Sequence, residues 1–253
     1  MLNIVIGCSG FSYKHWKNVF YPEGLPESGW LHYYSDFFST VELNVTFYHL
    51  PSKTSFRTWH RSTPPDFLFA LKGSRYITHI KRITDVRDSL KKFFDGAFEL
   101  GKKLAVVLWQ FPPSFPLNMH RLESFLSLLQ HYAVRHVFEF RHESWIVPQV
   151  FDLCRQYNIS LCMADSPLFI DDLPVTADFV YVRRHGQAAA QSGRYTKDQL
   201  SSDAARIRAW RTKGLKVFLY FNNDAFGYAP ANARELTELM RTNRSGSLLK
   251  KPA

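Results

Sequence analysis

Eight short runs rich in Val, Ile, Phe, Tyr and Leu recur along the chain, at residues 4–7, 40–47, 68–72, 105–110, 137–141, 160–164, 179–183 and 217–221. Each has the length and side-chain content of a β-strand. Between most of them lie amphipathic stretches of helical length, at residues 30–38, 53–61, 86–100, 119–132, 148–157 and 197–213, and a last one follows at 233–241. Strand alternating with helix is the signature of a parallel sheet. Eight such units predict an α/β fold, a single (β/α)₈ TIM-like barrel, and a chain of 253 residues is the ordinary size for one.

Finer features support this division. Leu122, Phe125, Leu126, Leu128 and Leu129 form a one-sided apolar stripe, with Arg121, Glu123 and Gln130 left for water. Thr196 with Gln199, and Asn232 with Glu235, have the spacing of capping boxes and predict helix starts after strands seven and eight. Residues 11–29 read as a long aromatic loop. Residues 166–177 contain Pro167 and Pro174 without a helical pattern, so one degenerate helix is expected between strands six and seven. No Gly/Ser linker or internal repeat divides the chain. One domain is expected over residues 1–241, with a basic, flexible tail at 242–253 carrying Arg244, Lys250 and Lys251.

Lys and Arg total 32 against 22 Asp and Glu, a net charge of +10, which draws acidic solutes such as nucleic acids and phosphate esters. The longest apolar run, residues 104–109, is far short of a membrane span. The opening MLNIVIGCSG has no basic leader or apolar stretch with a small-residue cleavage site. Cys8, Cys154 and Cys162 are odd in number and contain no C-x-x-C pair, which suits a reducing compartment. A cytoplasmic protein with no membrane partner is the expectation.

A barrel of this kind places its chemistry at the C-terminal ends of its strands. Polar residues fall there repeatedly: Glu42 and Asn44, Lys72, Gln110, Glu139 with Arg141 and His142, Asp165, Tyr181 with Arg183, Arg184 and His185, and Asn222, Asn223 and Asp224. Strand side chains alternate, so Glu42 shares a face with Asn44, Glu139 with Arg141, and Tyr181 with Arg183 and His185. Pointing inward, these faces converge on a cluster in which Glu42, Glu139 and Asp165 meet Lys72, Arg141 and Arg183. Buried charges must be paired, so a structural ion-pair network is one reading and an anion-binding active site the other. The loop from Arg183 to Tyr195 leads into a capped helix and is a candidate phosphate site, although Gly186 and Gly193 also serve simply as turn residues.

Other chemistries have less support. There is no nucleophile elbow, H-E-x-x-H, Walker loop or G-x-G-x-x-G. Cys8 reads as a small buried residue before it reads as a nucleophile. His79, His142 and His185 with Glu42, Glu139 and Asp165 lack a diagnostic metal spacing, so a divalent metal is not favoured and any cofactor is unassigned. Phe11, Tyr13, Trp16, Phe47, Tyr48, Trp145, Tyr195, Phe226 and Tyr228 lie at or beyond strand ends, where aromatics either stack sugars and bases or cap the barrel.

The ordered set I-G-C-S-G-F-S-Y from Ile6, V-E-L-N-V-T-F-Y from Val41, F-A-L-K from Phe69, L-W-Q-F-P-P from Leu108, F-E-F-R-H-E-S-W from Phe138, D-S at Asp165, Y-V-R-R-H-G from Tyr181 and Y-F-N-N from Tyr220 resembles the YecE-like family, a domain of unknown function numbered 72. The resemblance runs from Ile4 to about Met240. It implies a TIM-like barrel and no settled activity, with a Thr in many relatives where Cys8 stands here. The family's barrel is similar to the xylose-isomerase-like group that includes endonuclease IV, which implies a phosphodiesterase. This chain has fewer carboxylate and His ligands and more Lys and Arg, implying a metal-poor site.

The expected function is a hydrolase or related enzyme acting on a phosphate-containing substrate, including nucleic acid. Lys72, Arg141, Arg183 and His185 would bind and stabilise negative charge, Glu42 or Asp165 would act as base, His185 as acid, and Glu139 would orient Arg141. Asn44, Tyr48, Gln110, Tyr181, Tyr195, Asn222 and Asn223 would contact substrate. The alternatives are metal-free acid/base chemistry on a sugar between Glu42 and Glu139, and non-catalytic binding of anions or nucleic acid.

Overall fold

In the computed structural model, residues 3–165, 172–186 and 193–245 are described. Eight strands close into a barrel in chain order: β1 (Ile4–Ser9), β2 (Thr40–Leu43), β3 (Leu68–Lys72), β4 (Leu104–Phe111), β5 (Arg135–Phe140), β6 (Ser160–Ala164), β7 (Phe179–Arg184) and β8 (Lys216–Phe221). Neighbours pair in parallel, and β8 closes on β1 with Val5 opposite Phe218 and Gly7 opposite Tyr220. Helices α1 (Trp30–Phe37), α2 (Val45–Tyr48), α3 (Lys53–Arg61), α4 (Arg87–Ala97), α5 (Met119–Leu129), α6 (Pro148–Gln156), α7 (Lys197–Thr212) and α8 (Tyr228–Ser245) follow or separate the strands. The chain therefore has the α/β, TIM-like architecture. Residues 172–178 hold no helix between β6 and β7, and the rest of that connection, residues 166–171, lies outside the described residues.

The period of two divides the core into two parts. Outward side chains such as Val41, Phe69, Trp109, Phe138, Val182 and Leu219 pack under the helices. Inward ones, among them Val5, Val106, Val137, Phe179 and Phe218, fill the lumen and form an apolar floor.

Three sequence expectations change. Residues 40–47 read as one strand because Val45, Thr46 and Phe47 have strand propensity, yet β2 stops at Leu43 and α2 begins. Thr46 Oγ1 lies 3.0 Å from Leu43 O and 2.6 Å from Lys72 O, so a tertiary bond to the end of β3 overrides local propensity. The last helix starts at Tyr228 rather than Ala233, and Asn232 is a buried residue inside it, not a cap. Its Oδ1 instead accepts from Tyr195 N (3.1 Å) and Asn223 Nδ2 (3.1 Å), tying the β7–α7 loop to α8. The Thr196–Gln199 capping box is present. Helix α8 continues past Arg241 to Ser245, and residues 246–253 lie outside the described residues.

β1 and β2 pair over just two positions, Cys8 with Val41 and Ser9 with Glu42. Below them Tyr34 of α1 inserts its hydroxyl, which accepts from Cys8 N (2.8 Å) and donates to Thr40 O (3.0 Å). Gly7 makes room for this: a Cβ there would stand 2.4 Å from Thr40 O and 3.1 Å from the Tyr34 hydroxyl. Gly7→Ala is expected to destabilise the protein by roughly 1–3 kcal/mol, the usual range for overpacking, read as a lower urea midpoint at unchanged slope.

Candidate active site

The alternation that fills the lumen also builds its polar layer. On β7, Tyr181 and Arg183 face inward while Arg184 faces α7, where Asp203 accepts from its Nε at 2.8 Å. Arg183 is 2% exposed and bridges two carboxylates that are buried as deeply, Glu42 (0%) and Glu139 (1%). Its Nη2 and Nε lie 2.9 and 3.2 Å from Glu42 Oε1, and its Nη1 lies 2.9 Å from Glu139 Oε2. Tyr181 donates to Glu42 Oε2 at 2.5 Å. Glu139 Oε1 accepts from Gln110 Nε2 (2.7 Å), Arg141 Nε (2.9 Å) and Arg141 Nη2 (2.8 Å). Thus six residues, on or just beyond four strands, satisfy one another at the base of the mouth.

Burial alone would raise the Glu139 carboxyl, but Arg183, Arg141 and Lys72 outweigh it and hold the group down at about 2. The Arg183 guanidinium is raised: burial opposes its charge, and Glu42 and Glu139 more than compensate.

Above this layer opens a cavity of about 900 Å³, whose lining includes Asn44, Phe47, Tyr48, Lys72, Arg75, His79, Gln110, Arg141, Arg183, His185 and Asn222. Among the described residues Lys72, Arg75, Arg141 and Arg183 are four cations against the two carboxylates beneath, a surplus of two positive charges when Lys72 is protonated. Burial, and then Arg183, bring Lys72 down to about 8. His185 falls to about 4 through burial and the Arg183 charge, and His79 to about 4 through burial and the charges of Lys72, Arg75 and Arg141. Both imidazoles are neutral at neutral pH. Asn222 Nδ2 lies 3.0 Å from His185 Nδ1, which assigns that proton to Nε2. Thr78 Oγ1 lies 2.8 Å from His79 Nδ1 and 3.4 Å from Ser74 O. Asn44 Oδ1 is buried without a hydrogen-bond partner among the described residues.

Several expected site residues lie elsewhere. Asp165 is not in the cavity wall: its Oδ1 accepts from His185 N at 2.7 Å and its Oδ2 from the Tyr195 hydroxyl. Tyr195, which also accepts from Gly186 N (2.8 Å), and Asn223, which donates to Gly193 O (2.6 Å), bond to the described ends of the β7–α7 loop. Gly186 and Gly193 both have positive φ, 81° and 68°, the turn role; residues 187–192 of this loop lie outside the described residues. Glu42 and Tyr181 belong to the buried layer. Cys8 faces the helix layer, and burial raises its thiol well above the usual range. Arg75 was not anticipated; its signal was its place three residues beyond Lys72, just after β3. Among the described residues no group of three His, Cys, Asp or Glu is disposed to hold a metal ion, and no helix is long and apolar enough to cross a membrane. A larger cleft of about 1220 Å³ lies at the opposite end of the barrel, among the strand starts Ile4, Leu68, Leu104 and Lys216, away from the charged layer.

Removing Arg183 takes from buried Glu42 the guanidinium that pairs it and leaves Glu139 with Arg141 and Gln110, so Arg183→Met is expected to cost about 3–5 kcal/mol. The ionised Glu139 contributes stability in full above its ordinary pKa of 4.5, and this is lost as pH falls toward about 2. Glu139→Gln should remove that acid-limb dependence, measured by urea denaturation across the same pH range.

The sequence profile described as "Protein of unknown function DUF72" matches residues 5–253. The UPF0759 protein YunF of Bacillus subtilis (strain 168) is 26% identical over 277 residues, covering 96% of this chain and 96% of its own. A DUF72 family protein of Thermotoga maritima MSB8, known from a crystal structure, is 31% identical and superposes with a TM-score of 0.81 over 94% of this chain and 98% of that one. A DUF72 family protein of Enterococcus faecalis V583, 20% identical over 94% of this chain and 95% of its own, shares the fold with a TM-score of 0.79. Sequence profile, full-length relative and barrel agree: this chain belongs to the DUF72 family.

Proposed function

We propose that the mouth is the active site of an enzyme acting on a phosphate-bearing small molecule, with hydrolysis of the phosphate ester as its reaction. The observation that carries this reading is the charge of the cavity lining: among the described residues four cations, Lys72, Arg75, Arg141 and Arg183, stand against two lumen carboxylates, both of which Arg183 bridges. The cationic charge is offset when an anion enters, and the same charges stabilise the negative charge that develops on phosphoryl oxygens in transfer.

The acid/base work falls to imidazoles. His79, neutral at neutral pH, takes a proton from attacking water, and His185 Nε2–H is the donor toward the leaving oxygen. Glu42 and Asp165 have their oxygens occupied and do not serve as the base. Asn44 Oδ1 supplies an acceptor for a ligand hydroxyl, and Tyr48, 69% exposed at the rim, offers a ring face to a sugar or base. The sugar-hydrolase alternative loses ground because Glu139, held ionised down to about 2, has no proton to donate.

Titration calorimetry with inorganic phosphate and with simple phosphate monoesters tests the reading. Arg75→Ala and Arg141→Ala are each expected to weaken binding by about tenfold or more, the scale of a charge-assisted hydrogen bond. Affinity should also fall as pH rises through about 8, where Lys72 loses its proton. Asp165→Asn should leave binding in place. Unchanged affinity in both arginine variants would sink the assignment.

A further inference from the structure

Among the described residues two lysines are buried, and their surroundings differ. Lys103 Nζ is satisfied by three oxygens: His60 O (2.5 Å), Thr63 O (2.8 Å) and Thr63 Oγ1 (3.0 Å). Lys72, 8% exposed, makes no hydrogen bond or ion pair through Nζ with the described residues; the nitrogen stands 4.1 Å from the centre of the Phe47 ring. The groups around it explain why. Glu42 on β2 and Glu139 on β5 are committed to Arg183 on β7 and to Arg141 beyond β5, and these cations, with burial, work against an ammonium. A buried ammonium without acceptors is costly, and a neutral amine there costs far less.

The main chain under this amine is pinned. Thr46 Oγ1 donates to Lys72 O at 2.6 Å. The next residue, Gly73, lies against Trp109, where a Cβ would come within 2.2 Å of the indole ring. The main chain that carries the amine is thus fixed in the wall of a cavity that His79 and His185 also line.

We propose that Lys72 Nζ is a nucleophile that condenses with the carbonyl carbon of an aldehyde or ketone bearing a phosphate group. The inference rests on the phosphate-binding mouth and gives it a substrate class. The amine lone pair forms a C–N bond while the carbonyl π pair moves to oxygen, and the proton shed by nitrogen passes to that oxygen. The carbinolamine oxygen takes a further proton and leaves as water, giving a protonated imine; added water reverses the sequence and restores the amine. No oxidant or reductant is needed. An iminium acidifies the adjacent carbon, and neutral His79 is the base the cavity offers there.

The test incubates the intact protein with dihydroxyacetone phosphate and sodium cyanoborohydride, and reads the reduced adduct by intact mass and peptide mapping. Dihydroxyacetone is the uncharged control. The expected result is a single adduct at Lys72, lost in Lys72→Arg, suppressed by inorganic phosphate and increasing as pH rises through about 8. Lys72 at about 8 against the ordinary 10.5 holds on the order of a hundredfold more free amine at neutral pH than a surface lysine, so it should label far ahead of the others. Absence of label at Lys72, or labelling no faster than at exposed lysines, overturns the proposal, and needs no variant to read. If phosphate still binds by calorimetry in that case, the nucleophile alone has failed. If Lys72 labels equally with dihydroxyacetone and phosphate gives no protection, the amine stands as a nucleophile and the phosphate-binding reading falls.

Discussion

A single guanidinium, that of Arg183, joins carboxylates from opposite parts of the barrel wall: Glu42 on β2 and Glu139 on β5. Inside a lumen floored by Val5, Val106, Val137, Phe179 and Phe218, neither carboxylate has water to turn to. Each ion is tolerable because the others are present. Gln110, Arg141 and Tyr181 complete the oxygens' coordination, so strands β2, β4, β5 and β7 are held to one another by charge-assisted bonds as well as by the ladder.

What lies above follows from that closure. With the acidic groups engaged beneath, the mouth keeps cations and loses acids, and a chain with a net charge of +10 concentrates part of its excess where the barrel opens. Burial first, and then the same field, push protons off His79 and His185 and loosen the proton on Lys72. Basicity in this site is therefore set by burial and neighbouring charge more than by the kinds of side chain present.

The barrel was legible because period-two runs and helical stripes are local properties, and strand-end Lys72, Gln110, Arg141, His185 and Asn222 were found in the cavity wall by their position alone. Depth was not legible. Glu42 and Lys72 both end strands, yet one is sealed in a network and the other lines a cavity, a difference made by Arg183 reaching across the lumen. Asp165 and Tyr195 looked like site residues for the same reason, and their mutual bond, thirty residues apart, is visible only in three dimensions. Helix α2 was hidden because Thr46 bonds to Lys72 O, a partner on another strand. That hidden turn carries Phe47 to the amine of Lys72.

Adjacent arginines on β7 give the strand a peculiar relation to its own alignment. Arg183 serves the lumen and Arg184 serves Asp203 on α7. A shift by one residue would exchange the faces of the whole strand and set Arg184 in the lumen and His185 opposite Asp203, so at the lumen charge alone gives little penalty for the error. Tyr181 breaks the degeneracy. In the shifted alignment Val182 would replace it, Glu42 Oε2 would lose its donor, and the tyrosine hydroxyl would be driven among the apolar side chains beneath the helices. In the lumen it is the phenol, rather than the cation, that makes the native alignment of this strand unique.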